Sequence, residues 1–151
     1  MKIIYDHTIF WNQKFGGISR YFVNLIKKLN EKENIDYKVI SPFYKNNYLN
    51  EIDKKKVFGT FISNPLPKTS FFFKKINEIF FKYSINFFKP DIVHTTYYND
   101  DVRTKKPLIL TVYDLIHEQI SREENRLLLP KKKQLKEQII LFVYQKKQDL
   151  I

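Results

Sequence analysis

The chain has no cysteine among its 151 residues, which excludes disulfides, thiolate chemistry and zinc sites built on sulfur. Glycine is nearly as scarce, with three residues against six prolines, so collagen-like and linker-dominated chains are excluded as well. Only four of the 27 basic residues are arginine. No stretch approaches the roughly 18–20 uncharged apolar residues of a membrane span. The opening Met1-Lys2-Ile3-Ile4-Tyr5-Asp6 lacks the apolar run of a signal peptide. Several catalytic and nucleotide signatures are also missing: no GxGxxG, no Gly-Lys-Ser/Thr, no Gly-x-Ser-x-Gly and no HExxH.

What is present argues for one folded domain spanning residues 1–151. Hydrophobic residues make up 43% and aromatics 17%, led by fourteen Phe and ten Tyr, and a disordered chain does not have that composition. The net charge of +11 favours anionic partners. It is spread evenly, with +4 over residues 1–50, +3 over 51–100 and +4 over 101–151. A lysine-rich, dispersed excess of this kind describes a solvated surface. With arginine scarce and no RNP-like strand or GXXG loop, nucleic acid is not an expected partner.

Hydrophobic periodicity orders the elements. Residues 2–5 predict a buried strand ending at Asp6, followed by a loop from His7 to Phe15. From Ile18, apolar residues fall at 18, 21, 22, 25, 26 and 29, one face of a helix that ends between Asn30 and Asn34. Ile35–Ser41 predicts a strand stopped by Pro42, and Val57–Ile62 a shorter one. Residues 70–89 predict a second helix with Phe72, Ile76, Ile79, Phe80, Tyr83 and Phe87 on one side; Phe73, Phe81, Ile85 and Phe88 widen that face. Asp91–His94 and Pro107–Tyr113 predict strands, the latter apolar enough to be covered on both faces. Lys131 to about Lys147 predicts a third helix around Leu135, Ile139, Phe142 and Val143. The alternation implies an α/β fold with a mostly parallel sheet.

In such sheets ligands gather beyond the carboxyl ends of the strands. The unusual polar residues fall there: Asp6 and His7 after the first strand, His94, Thr95, Thr96, Tyr97 and Tyr98 after the fourth, and Asp114, His117 and Glu118 after the fifth. All three histidines are expected along one rim. Gly16-Gly17 opens the first long helix, either as a plain helix-start turn or as a phosphate-facing loop beneath free helix N–H groups. Arg20, in the first turn, either clamps a phosphate or carboxylate or pairs with an acidic loop residue. Asp114 either caps its loop or handles a proton. The histidines lack metal-ligand spacing, so no metal is expected. The Phe-rich helix, with Lys74, Lys75, Lys82 and Lys89 interleaved, suits an acidic membrane surface, but a core helix contacting sheet and neighbour is the preferred reading.

Four stretches together resemble a known family: Ile4-Tyr5-Asp6-His7, Phe15-Gly16-Gly17-Ile18-Ser19-Arg20-Tyr21-Phe22, Lys89-Pro90-Asp91-Ile92-Val93-His94-Thr95-Thr96-Tyr97-Tyr98, and Leu110-Thr111-Val112-Tyr113-Asp114-Leu115-Ile116-His117-Glu118. In order and spacing they are similar to the N-terminal, acceptor-side domain of family 4 retaining glycosyltransferases, and to their mannosyltransferase-like branch in polysaccharide or lipopolysaccharide assembly. The resemblance implies a three-layer Rossmann-like lobe, one half of a GT-B fold. It also implies sugar transfer from a nucleotide-sugar to a saccharide or lipid-linked acceptor, without a resident cofactor.

Position by position, the resemblance implies that Gly16, Gly17 and Arg20 face the donor pyrophosphate. It places Asp6, His7, His94, Tyr97, Tyr113, Asp114, His117 and Glu118 along the acceptor cleft. Many relatives have His where Tyr113 stands, so Tyr113 is assigned no proton transfer. Relatives also carry a second, donor-binding lobe. The expectation is therefore a fragment, or one half of a split enzyme with a separate donor lobe, for which turnover by these residues alone is not expected. The expected location is the cytoplasm, in peripheral contact with the inner face of the membrane. A noncatalytic module binding a glycan, a protein or a membrane surface is the alternative.

Overall fold

Ile3, Ile4 and Tyr5 are all buried, although successive side chains of a strand point to opposite faces, so this strand is covered on both sides. In the computed structural model, which describes residues 1–66, 68–97, 99, 102–111 and the backbone of 141–144, this strand is β1 (Lys2–Tyr5). The other strands are β2 (Asp36–Tyr44), β3 (Val57–Phe61), β4 (Ile92–Thr95), β5 (Leu108–Thr111) and β6 (Leu141–Tyr144). The helices are α1 (Thr8–Asn12), α2 (Gly17–Asn30) and α3 (Ser70–Phe88), with a 3-10 turn at Tyr48–Glu51.

The sheet order is β3-β2-β1-β4-β5-β6, parallel throughout except for the antiparallel β5–β6 pair. Ile3 and Tyr5 face α2 and cluster with Phe22, Val23, Ile26 and Val39. Ile4 faces α3 and clusters with Ile40, Phe81, Ile85 and Val93. Helices therefore flank both faces of a mostly parallel sheet, as in a Rossmann-like lobe. Complete burial of an aromatic such as Phe22 contributes about 2–3 kcal/mol.

Several expectations need correction. First, His7–Phe15 is not all loop, because it contains α1. This helix is too short to show a period, yet Ile9, Phe10 and Trp11 are all buried. Second, β2 continues through Pro42. Ile40 pairs with Phe58 and Phe43 with Thr60, so Ser41 and Pro42 together oppose Gly59 across a bulge. Gly59 has φ +156, and a Cβ there would come within 1.7 Å of the Ser41 carbonyl oxygen, so the bulge requires glycine. The Phe43 backbone N–H and C=O pair instead with the Asn77 side chain of α3, at 2.9 and 2.8 Å.

Third, α3 turns its opposite side to the sheet. Asn77, Phe81, Ser84 and Ile85 are buried, whereas Phe72, Ile79, Phe80, Tyr83 and Phe87 are exposed. A helix that is apolar nearly all round gives no unique inward stripe. The Asn77 bonds to β2 and the Phe81 contact with β1 and β4 determine the orientation. Fourth, residues 141–144 are not helical. Leu141-Phe142-Val143-Tyr144, rich in aromatic and β-branched residues, pairs antiparallel with β5. The remainder of the predicted third helix lies outside the described residues. Leu108, Ile109 and Leu110 of β5 are half-buried rather than fully covered.

Candidate functional site

β1 and β4 are neighbours, and the chain leaves them in opposite directions, toward β2 and toward β5. This is the switch point of the sheet, where two diverging connections leave a crevice at the carboxyl ends. Asp6 and His7 leave β1 there, and His94 and Thr95 end β4 one strand away, with Tyr5 and His94 in register.

Asp6 is fully buried and ties the crevice together. One carboxylate oxygen accepts from the Thr96 backbone N–H at 2.7 Å and from the Thr96 hydroxyl. The other accepts from the Thr8 hydroxyl and from the Asn99 amide, the latter at 3.3 Å. Thr96 Oγ1 in turn accepts the Ile9 N–H at 3.1 Å, satisfying one of the orphan donors that open α1. The carboxylate just after β1 thus holds the segment after β4 and the start of α1 as one unit. All described acceptor positions of Asp6 are engaged, so its role in this arrangement is to orient the crevice.

The two described histidines share the rim but not the face. His94 packs beneath α2, with ring centroids 5.1 Å from Tyr5 and 5.3 Å from Phe22, and its Nε2 shares a 2.8 Å hydrogen bond with Thr111 Oγ1. Burial pushes its pKa down to about 4 against a weaker upward pull from Asp6, so the ring is neutral at physiological pH. His7 lies on the α3 side, edge-on to Phe81 at 6.3 Å. Burial holds its pKa below the ordinary histidine value, with Asp6 and Glu78 opposing and Lys74 reinforcing. Its Nδ1 is buried without a protein partner. The ring lines a cavity of about 310 Å³ between α3 and Asn99, Val102 and Arg103, with Lys75, Glu78 and Lys82 at its walls. A neutral imidazole with a free ring nitrogen can bond a hydroxyl, while the surrounding cations suit an anionic group.

The glycine pair lies at the start of α2, but a side chain shares that position. Gln13 Oε1 accepts the Ser19 N–H at 3.2 Å, and a Cβ on Gly16 would lie 2.1 Å from the same oxygen. Gly16 leaves room for this amide, whereas Gly17 faces open space. Arg20 lies over the Tyr48 ring, 5.8 Å from its centroid, a cation–π contact rather than a salt bridge. The loop before α2 is fixed from the other side, because the Asn46 amide donates to the Gln13 carbonyl at 2.8 Å and the Asn47 N–H to that of Lys14 at 3.0 Å.

The structure therefore places Asp6, His7 and His94 at the adjoining ends of β1 and β4, with Tyr97 half-buried against the α2-side core. Tyr113, Asp114, His117 and Glu118 lie outside the described residues, as does Tyr98. Sequence reasoning placed Thr96 among the polar residues at the end of the fourth strand but did not single out Gln13, Asn99 or Thr111. Thr96 and Asn99 occupy the strand-end loop where polar residues are informative, but nothing in the order of residues marks Gln13 or Thr111. Among the described residues no group of His, Asp and Glu is placed to hold a metal ion.

The family model described as Glycosyltransferase Family 4 matches residues 15–144 of the chain. No curated protein and no solved structure matches it.

Proposed function

The chain belongs to Glycosyltransferase Family 4, and from that premise we propose that it is the acceptor-side lobe of a GT-B transferase. The reaction is transfer of a sugar, with retained configuration, from a nucleotide-sugar to a saccharide or lipid-linked acceptor. The observation that carries this reading is the switch-point crevice between β1 and β4, framed by the Asp6–Thr96 latch and the glycine-led start of α2.

The chemistry explains why a crevice of this kind serves. The leaving group is a nucleotide diphosphate whose negative charge grows as the glycosidic bond breaks. Catalysis consists of stabilising that charge and holding donor and acceptor together with water excluded. The open position at Gly17 admits close approach to the donor, and reaching the α2 N-terminus displaces the Gln13 amide. On the acceptor side, the cavity beside His7, Lys75, Lys82 and Arg103 admits a sugar or anionic group, and a hydroxyl that penetrates to the buried His7 Nδ1 gives it the partner it lacks. Tyr113, Asp114, His117 and Glu118 belong to the same side in this reading. A second, donor-binding lobe closes the cleft and supplies the main diphosphate contacts.

The test is titration of the isotope-labelled chain with a panel of nucleotide-sugars and oligosaccharide acceptors, followed by amide NMR. Saturable shifts are expected at His7, Thr96 and Asn99 with an acceptor and at Gly17 with a nucleotide-sugar. An absence of saturable shifts with every ligand, or shifts confined to residues away from the strand ends, overturns the assignment.

A further inference from the structure

We propose that the outer face of α3 is a docking surface for an anionic lipid bilayer, on which the helix lies flat. At ~100° per residue, Phe72, Ile76, Ile79, Phe80, Tyr83 and Phe87 fall within an arc of about 100°. This arc is opposite the side that Asn77, Phe81, Ser84 and Ile85 bury against the sheet. Five of the six are exposed, from 47% at Ile79 to 79% at Phe87; only Ile76 is half-buried. Phe58 of β3, 46% exposed, stacks on Phe80 at 6.3 Å and extends the apolar surface beyond the helix. Contiguous apolar faces of this extent are uncommon on a soluble monomer without a partner.

Charge identifies the partner. No acidic residue falls within the arc. Lys75 and Lys82, seven residues apart, line one border of the stripe, and Lys74 and Lys89 add positive charge near the helix ends. The single carboxylate of α3, Glu78, is paired with Lys75 at 3.4 Å. Aromatic rings along one line with lysines beside them match the boundary of a bilayer, where rings enter the acyl region and lysine stems reach up to headgroup phosphates. The net charge of +11 attracts the whole domain to the same surface. No helix of the described residues is long and apolar enough to cross a membrane, so the contact lies along the surface.

Flotation of the full chain with vesicles tests this independently of any transferase activity. Vesicles of phosphatidylcholine mixed with phosphatidylglycerol are expected to bind at least ~10-fold more protein than phosphatidylcholine alone, and added salt to weaken that binding. The triple variant Phe72→Ser/Tyr83→Ser/Phe87→Ser, with unchanged far-UV circular dichroism, is expected to lose about tenfold or more. The variant Lys75→Glu/Lys82→Glu is expected to lose a comparable factor through charge alone, at about fivefold for each lysine removed. The proposal is overturned if the wild type stays unbound, if both vesicle types bind equally, or if both variants bind as the wild type does. It is also overturned if the wild type forms a dimer that the serine variant disrupts while vesicles bind neither protein, which assigns the face to a second copy.

Discussion

The two faces of the sheet are held in different ways. On the α2 side, one large apolar cluster joins β1, β2 and α2, and continues into α1 and the 3-10 turn. Its histidine, His94, is enclosed by rings and bonded to Thr111. The α3 side has a smaller cluster of five buried residues, a cavity beside His7, and two backbone bonds supplied by Asn77. Periodicity identified the first face because α2 has one apolar stripe, and nearly all of that stripe is used inward. On α3, apolar residues surround the helix, and one buried amide decides which of them face the sheet. A hydrophobic stripe thus predicts burial only where the helix has a polar side to turn outward.

The strongest test of this contrast is Phe22→Ala. Phe22 is fully buried and touches the rings of both Tyr5 and His94. The expected loss of stability is about 4 kcal/mol, from transfer plus the cavity left behind, read by urea denaturation. A loss below about 1 kcal/mol shows that the α2 side is not the tighter of the two.

Acid sharpens the contrast next. Burial lowers the folded-state pKa of His94 to about 4, from an unfolded value near 6.5. The unfolded chain therefore takes up a proton in that interval while the folded chain does not. Stability is intact above pH ~6.5, declines as pH falls toward about 4, and levels off for this group below that. The full difference amounts to about 3 kcal/mol, an order-of-magnitude figure. His7 contributes in the same direction from the α3 side. Thermal melting between pH 7 and 4 is expected to show the decline, and His94→Gln to flatten it in part, leaving the contribution of His7. An unchanged slope in the variant removes His94 from this account.

Much of this arrangement was legible in the residues themselves. The parallel α/β order, the span of α2 and the placing of Asp6, His7 and His94 at strand ends followed from apolar periods and from the rule for open sheets. That His7 turns to the face opposite His94 did not: His94 is inside β4 and shares the face of its register partner Tyr5, whereas the face taken by His7, beyond the end of β1, depends on the first turn of the loop. Here that turn is set by Thr96 and Asp6, 90 residues apart. Pro42 misled because a proline, having no N–H to give the ladder, normally marks a strand's end; here it falls within the bulge opposite Gly59, outside the regular register. Leu141–Tyr144 misled because a short apolar run between lysines fits a helix as well as an edge strand, and only pairing with β5 decides.

The smallest expected effect is also the most specific to the α3 side. Asn77 lies mid-helix and fully buried, a costly position for an amide unless every polar atom is used. Its Oδ1 accepts the Phe43 N–H and its Nδ2 donates to the Phe43 carbonyl, replacing ladder bonds lost at the bulge. Asn77→Ala leaves both backbone groups unpaired, at an expected cost of about 2 kcal/mol after the better helix propensity of alanine is credited. Asn77→Asp keeps the acceptor for the N–H but sets a carboxylate oxygen against the Phe43 carbonyl, so its loss is expected to exceed that of alanine. Equal losses for the two variants in urea denaturation indicate that packing alone fixes α3, and the contrast between the two faces then reduces to one of apolar area.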